Sequence, residues 1–237
     1  MGKPVLSQDD IMNMLDQIYT KCLEGIPKVS LPIERFADDY LRKEPNPRIA
    51  AKTMMNYQVA KCTTSGVISG FGGVITLPVT IPANIGSVLY VQMRMIACAA
   101  YMAGYDVHSD QVQTVIYACL AGVSINSLVK RMGITFGQKA FTSMVKKIPG
   151  KVLTKINQKV GFRFLTKFGE KGLINIGKLV PGVGALISGG MDFAETRVIA
   201  NRAYKMFILG DFSDDKDAKT DDKITEADIV DVDFSEE

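Results

Sequence analysis

Residues 62–93, "CTTSGVISGFGGVITLPVTIPANIGSVLYVQM", run for thirty-two positions without a formal charge and carry five glycines together with Pro78 and Pro82. Crossing about 30 Å of hydrocarbon takes about 20 uninterrupted apolar residues. Residues 62–77 give 16 before Pro78, and residues 82–93 give 12 before Arg94, so neither half is a simple span. The prolines turn the segment round, which predicts a bent hairpin that dips into one leaflet or a soluble hairpin able to insert. Gly66 and Gly70 lie four apart, as do Ser65, Ser69 and Gly73, a spacing that lets helix backbones approach closely. In a soluble helix each internal glycine costs about 1 kcal/mol relative to alanine. Close packing against protein or lipid must offset that cost, and the core of a large helical domain would also do so.

The flanks read as helices. Ser7 with Asp10 forms a capping box, and Ile11, Leu15, Ile18, Cys22 and Leu23 follow at helical spacing, predicting an amphipathic helix over about 8–25. A second spans 33–43. "PNPR" at 45–48 stops it and starts a third, with Pro47 at its first position. Beyond the "LPVTIP" break a helix over 82–103 is closed by Gly104, and Ser109 caps another expected over about 110–131. Gly133, Pro149, Gly150, Gly161 and Gly169 divide the basic region into shorter helices, and the last helix runs from "VPGVG" to near Gly210. Little alternates with period two, so the expected fold class is all-α, a bundle of packed helical hairpins. Its divisions are N-terminal amphipathic helices over 1–45, a helical domain over 46–210 and a disordered acidic tail over 211–237.

An internal repeat supports the hairpin reading. At an offset of 103, residues 78–101 align without gaps to 181–204 with 7 identities in 24 positions, where chance gives about one or two. Each unit is a Gly/Pro bend feeding a helix that carries "RxIAxxAY".

Charge is distributed unevenly. The tail has 12 acidic and 3 basic residues, a net of −9, while the other 210 residues carry 25 basic and 13 acidic, a net of +12. Between Lys130 and Lys178 twelve Lys or Arg face a single acid, Glu170. Such asymmetry points to an anionic partner. Lys147, Lys151, Lys155, Lys159, Arg163, Lys167 and Lys171 form a ladder at i, i+4 beside Val152, Ile156, Val160, Phe164 and Phe168. A basic amphipathic helix of this kind suits anionic lipid, and it also suits the solvated face of a soluble bundle. Nucleic acid is the rival, since Phe162, Phe164 and Phe168 interleave with the basic residues. It is set aside because no nucleic-acid-binding signature accompanies them and it gives the charge-free segment no role.

The two units also resemble the EcsC-like bacterial family. The likeness rests on "GFGGVITLPVTIPANIGSVLYVQMRMIACAAYMAGYD" at 70–106 and "LVPGVGALISGGMDFAETRVIANRAYKMF" at 179–207, and covers about 50–208. The resemblance implies association with the membrane and a link to a bacterial ABC exporter system, without a settled activity; the expected location is the cytoplasm, at the inner face of the cell membrane. It also marks Arg94 and Asp192 as recurrent features.

Chemistry is sparse. His108 is the lone histidine, which excludes HExxH and other His-rich metal sites. Cys22, Cys62, Cys98 and Cys119 are scattered and read as reduced, buried thiols. No phosphate loop or nucleophile elbow occurs, and no metal or cofactor is expected. Glu170 apart, Asp192 and Glu195 are the only acids between 111 and 210. As a pair they are candidate acid and base for a membrane-surface hydrolase. The alternative is structural ion pairing with Arg94, Arg197 and Arg202, above all a buried ion pair of Arg94, Asp192 and Arg197, because a carboxylate in an apolar bundle needs a partner. "MGKPVLSQDD" lacks the apolar run of a cleavable signal and the sixth-position Ser or Thr of a myristoylation motif.

The leading expectation is a membrane-associated, non-enzymatic helical protein. Its basic ladder docks on anionic lipid and its bends at Gly66, Gly70, Gly73, Pro78 and Pro82, and at Pro181 and Gly184, contact or enter the bilayer. A hydrolase using Asp192 and Glu195 and a pore-forming oligomer built on the glycine spacing are the alternatives. The acidic tail is expected to fold over the basic face and weaken binding. Oligomeric state has no signature in the sequence.

Overall fold

The computed structural model describes residues 6–62, 83–126, 141–168 and 184–212, apart from the side chains of 83, 84, 141, 144 and 184–193. The elements are α1 (Gln8–Glu24), α2 (Ile33–Lys43), α3 (Pro47–Lys61), α4 (Ala83–Met102), α5 (Asp110–Ala121), α6 (Phe141–Val145), α7 (Gly150–Phe168) and α8 (Gly184–Ala203). A π-helical turn over Tyr204–Ile208 continues α8. Among the described residues the sole strand-like feature is an isolated bridge between Ile26 and Ser30. The protein is all-α.

Local chemistry explains the ends. Ser7 accepts from the Asp10 backbone while the Asp10 carboxylate accepts from the Ser7 backbone N–H at 2.9 Å, closing the capping box of α1. Asn46 caps α3 with Pro47 at its first turn, and Ser109 caps α5. α4 stops at a Schellman motif: Gly104 N–H bonds to Tyr101 O at 2.8 Å and Tyr105 N–H to Ala100 O at 3.0 Å, with Gly104 at φ 80°. The same motif ends α5 ten residues before the sequence expectation of about 131. Gly122 adopts φ 67° and the Val123 N–H reaches back to Ala118 O at 2.8 Å, so the carbonyls that would carry the helix on are already taken.

α4 is the hub. It packs against α1, α2, α3, α5, α8 and the π-turn, while α7 lies across α1 and α5. One continuous set of buried side chains runs from Ile11 on α1 to Phe212, so residues 8–43 belong to the same core as the rest. The stretch Ile85–Met102 is long and apolar enough to cross a bilayer by length and composition, and 83% of it is buried inside the protein. Within it Leu89, Val91, Met93, Met95 and Ile96 are buried, each worth about 1.5–3 kcal/mol relative to exposure.

Of the repeat's paired positions, Ile96 and Ile199, Ala97 and Ala200, and Ala100 and Ala203 are all buried. The polar members differ: Arg94 is buried and Arg197 half-buried, while Tyr204 is buried and Tyr101 half-buried. Gly66, Gly70, Gly73, Pro78, Pro82 and Pro181, with residues 213–237 of the acidic tail, lie outside the described residues. Of the tail's first two residues, Asp211 pairs with Lys205 at 3.7 Å and Phe212 packs edge-on to Phe207, so both stay on the core.

Candidate functional site

α7 is amphipathic and contains no acid. Val152, Ile156, Val160, Gly161, Phe164 and Phe168 face α1 and α5, and Phe164 stacks on Phe168 at 5.7 Å between centroids. Successive members of the basic ladder are four residues apart, so each is turned about 40° from the last. The drift divides the ladder. Lys151, Lys155 and Lys159 are exposed on the outer side, and Phe162 stands on the same side with 59% of its surface in solvent. Lys147 is exposed in the turn that leads into α7. Arg163 and Lys167 have swung round to the border with α5 and α8, so the single broad basic face expected from sequence is two patches.

At that border lies a cleft of about 330 Å³. Arg163 and Lys167 of α7, and Glu195 and Arg202 of α8, supply its charged lining, with Leu120 of α5 and Val198 of α8 among its apolar walls. The Arg163 guanidinium donates to Gly122 O at 3.1 Å and Arg202 to Cys119 O at 2.8 Å, so two cations cover the C-terminal carbonyls of α5. Gly122 leaves room for this: a Cβ there would stand 3.2 Å from the Arg202 guanidinium nitrogens, tighter than ordinary contact. Lys167 bonds to Glu195, with side chains 42% and 44% exposed. Among the described lining residues three cations stand against one carboxylate.

The remaining candidates fall elsewhere. Arg94 is 4% exposed, and its Nη1 donates to Cys22 O at 3.0 Å and its Nη2 to Leu31 O at 2.6 Å while the guanidinium lies 4.4 Å over the Phe36 ring. Cys22 O is at the last turn of α1, whose following amide from Ile26 bonds to Ser30 instead. Arg94 therefore satisfies carbonyls at both ends of the α1–α2 connection. The side chain of Asp192 lies outside the described residues, though its backbone, like that of Gly184, is on α8. Arg197 is half-buried five residues before Arg202. Gln92, buried on α4, donates to Thr196 Oγ1 on α8 at 2.9 Å, a polar tie that no spacing in the sequence signals.

His108 is exposed and bonds through Nε2 to Glu34 at 2.9 Å, linking the α4–α5 connection to α2. Burial pushes the Cys22 and Cys98 thiols well above their ordinary range, as the environment of packing residues does. Among the described residues no three His, Cys, Asp or Glu side chains gather where a metal ion could sit. The signal that would have revealed the cleft is the Gly-Val pair at 122–123, which repeats the Gly-Tyr stop at 104–105 and ends α5 where two arginines meet it.

Set beside known families, curated proteins and solved structures, the chain matches no family model, no curated protein and no solved structure.

Proposed function

We propose that the protein docks on anionic membrane surfaces through the outer face of α7, as a peripheral, non-enzymatic protein of the cytoplasmic leaflet. The observation that carries this reading is Phe162, a large apolar side chain held in solvent on the same side as Lys151, Lys155 and Lys159, on a helix without an acid. An apolar ring among ammonium groups matches the boundary between headgroups and acyl chains. Each lysine near an anionic surface contributes about 1 kcal/mol, so three contribute about 3 kcal/mol and dominate at low salt. Docking by this face needs no opening of the core around α4. The implied link to an ABC exporter belongs to the same proposal and rests on the EcsC-like resemblance alone. Glu195 as a hydrolytic acid finds less support, because it is exposed and bonded to Lys167.

Flotation tests the reading. Purified protein is mixed with phosphatidylcholine vesicles, with or without phosphatidylglycerol, at low and high salt. Co-flotation only with the anionic vesicles, weakened about 100-fold by combined Lys151→Gln, Lys155→Gln and Lys159→Gln, is the expected result. The substituted side chains are all exposed, so folding is preserved and checked by circular dichroism. Equal flotation of the triple variant, or none with anionic vesicles at low salt, overturns the proposal.

A further inference from the structure

We infer that the cleft between the C-terminus of α5, α7 and α8 is a binding site for a single phosphate group, distinct from the outer face of α7 and independent of whether that face meets a membrane. Arg163, Lys167 and Arg202 reach it from two helices, and Glu195 is the one acid among its described lining residues. The exposed C-terminus of a helix ordinarily repels an anion, with a partial charge of about −0.5. Here that end is covered by two guanidiniums, through the bonds to Gly122 O and Cys119 O. The charges of the described lining residues sum to +2, which outweighs half a negative one, so their field favours an anion.

Orientation supports the same assignment. A guanidinium carries five donors in a planar fork, so a single carbonyl contact fixes the direction of the group. Planar forks and an adjacent ammonium suit tetrahedral oxyanions better than they suit halide ions. The volume of about 330 Å³ exceeds what a phosphate alone fills. Leu120 and Val198 give the remainder an apolar boundary, and Val198 is exposed on α8 beside the charged lining. The site thus fits a phosphate carrying a short apolar substituent. That group is the headgroup end of a phospholipid or a soluble phosphate ester, and the two share one recognition chemistry. Glu195 tempers the affinity, because it holds Lys167 and an entering phosphate must share that ammonium with it.

The experiment is isothermal titration of the full chain with inorganic phosphate, with dihexanoyl phosphatidic acid below its micelle concentration and with dihexanoyl phosphatidylcholine. Wild type is compared with Lys167→Gln and Glu195→Gln, two exchanges at exposed side chains that leave the core untouched. Saturable binding of phosphate or phosphatidic acid is expected, about tenfold weaker in Lys167→Gln and about threefold tighter in Glu195→Gln. Equal affinity for phosphate and phosphatidic acid assigns a soluble phosphate compound as the ligand, and tighter phosphatidic acid assigns a lipid headgroup. The zwitterionic lipid should bind more weakly than phosphatidic acid. Absence of saturable binding at millimolar concentration, or affinities that do not shift in opposite senses in the two variants, overturns the inference.

Discussion

Arg94→Lys separates a structural clamp from a functional cation. The guanidinium spans two carbonyls on different segments, Cys22 O and Leu31 O, and lies flat over Phe36. A lysine keeps the charge but offers one point of donation, so one buried carbonyl loses its partner. A hydrogen bond to a charged group contributes about 1.5–3 kcal/mol, and the lost face contact with Phe36 about 0.5–2 kcal/mol. Retaining a charge in the core removes any compensating gain from relieved burial, because an ammonium is more strongly hydrated than a guanidinium. The expected loss is about 3 kcal/mol, which for a chain of this size lowers Tm by about 6–12 °C. Thermal unfolding followed by circular dichroism, with a urea series for the free energy, measures it. A Tm within about 2 °C of wild type at unchanged cooperativity would refute the clamp.

The geometry sets three further outcomes. Gly25 adopts φ 75°, and a Cβ there would meet Ser30 O at 2.5 Å, so Gly25→Ala should cost at least about 3 kcal/mol in a urea titration because the obstacle is backbone. The Ser7 side chain and backbone hold the Asp10 carboxyl below its ordinary 3.8, so this contribution is present above that value and lost as pH falls through the depressed folded value. Ser7→Ala should therefore destabilise at neutral pH and flatten the acid limb of the stability profile, and an unchanged acid limb would count against the cap. The four cysteines are buried, so a thiol reagent should label them slowly in native protein and all at once in guanidinium, with Cys62 the first to react. Rapid native labelling of Cys22 or Cys98 would contradict their placement.

Much of the fold was legible because the decisive residues act on their neighbours. The Ser7 and Asp10 box, Pro47 at the start of α3, and Gly104 closing α4 are local events that reach no further than one turn. The end of α5 was missed although Gly122 and Val123 carry the same local signal, because the apolar run beyond them continued to read as helix. The site was less accessible for a different reason. A buried arginine suggests a carboxylate partner, yet Arg94 finds carbonyls 72 and 63 positions away, which no periodicity encodes. Likewise the ladder on α7 fixes how the charges rotate, but which part of it faces solvent depends on where α5 and α8 arrive.

The central position of α4 also bears on how the chain comes into being. α1 buries Ile11, Leu15 and Ile18 against α4 and α7, which begin at residues 83 and 150. During synthesis, the apolar stripe of α1 leaves the ribosome well before either partner exists and cannot be covered by α2 and α3 alone. Domains fold as units once their contacts are available. The nascent N-terminal third is thus a natural client for chaperones, and stalled chains ending before α4 should aggregate where chains ending after α7 do not.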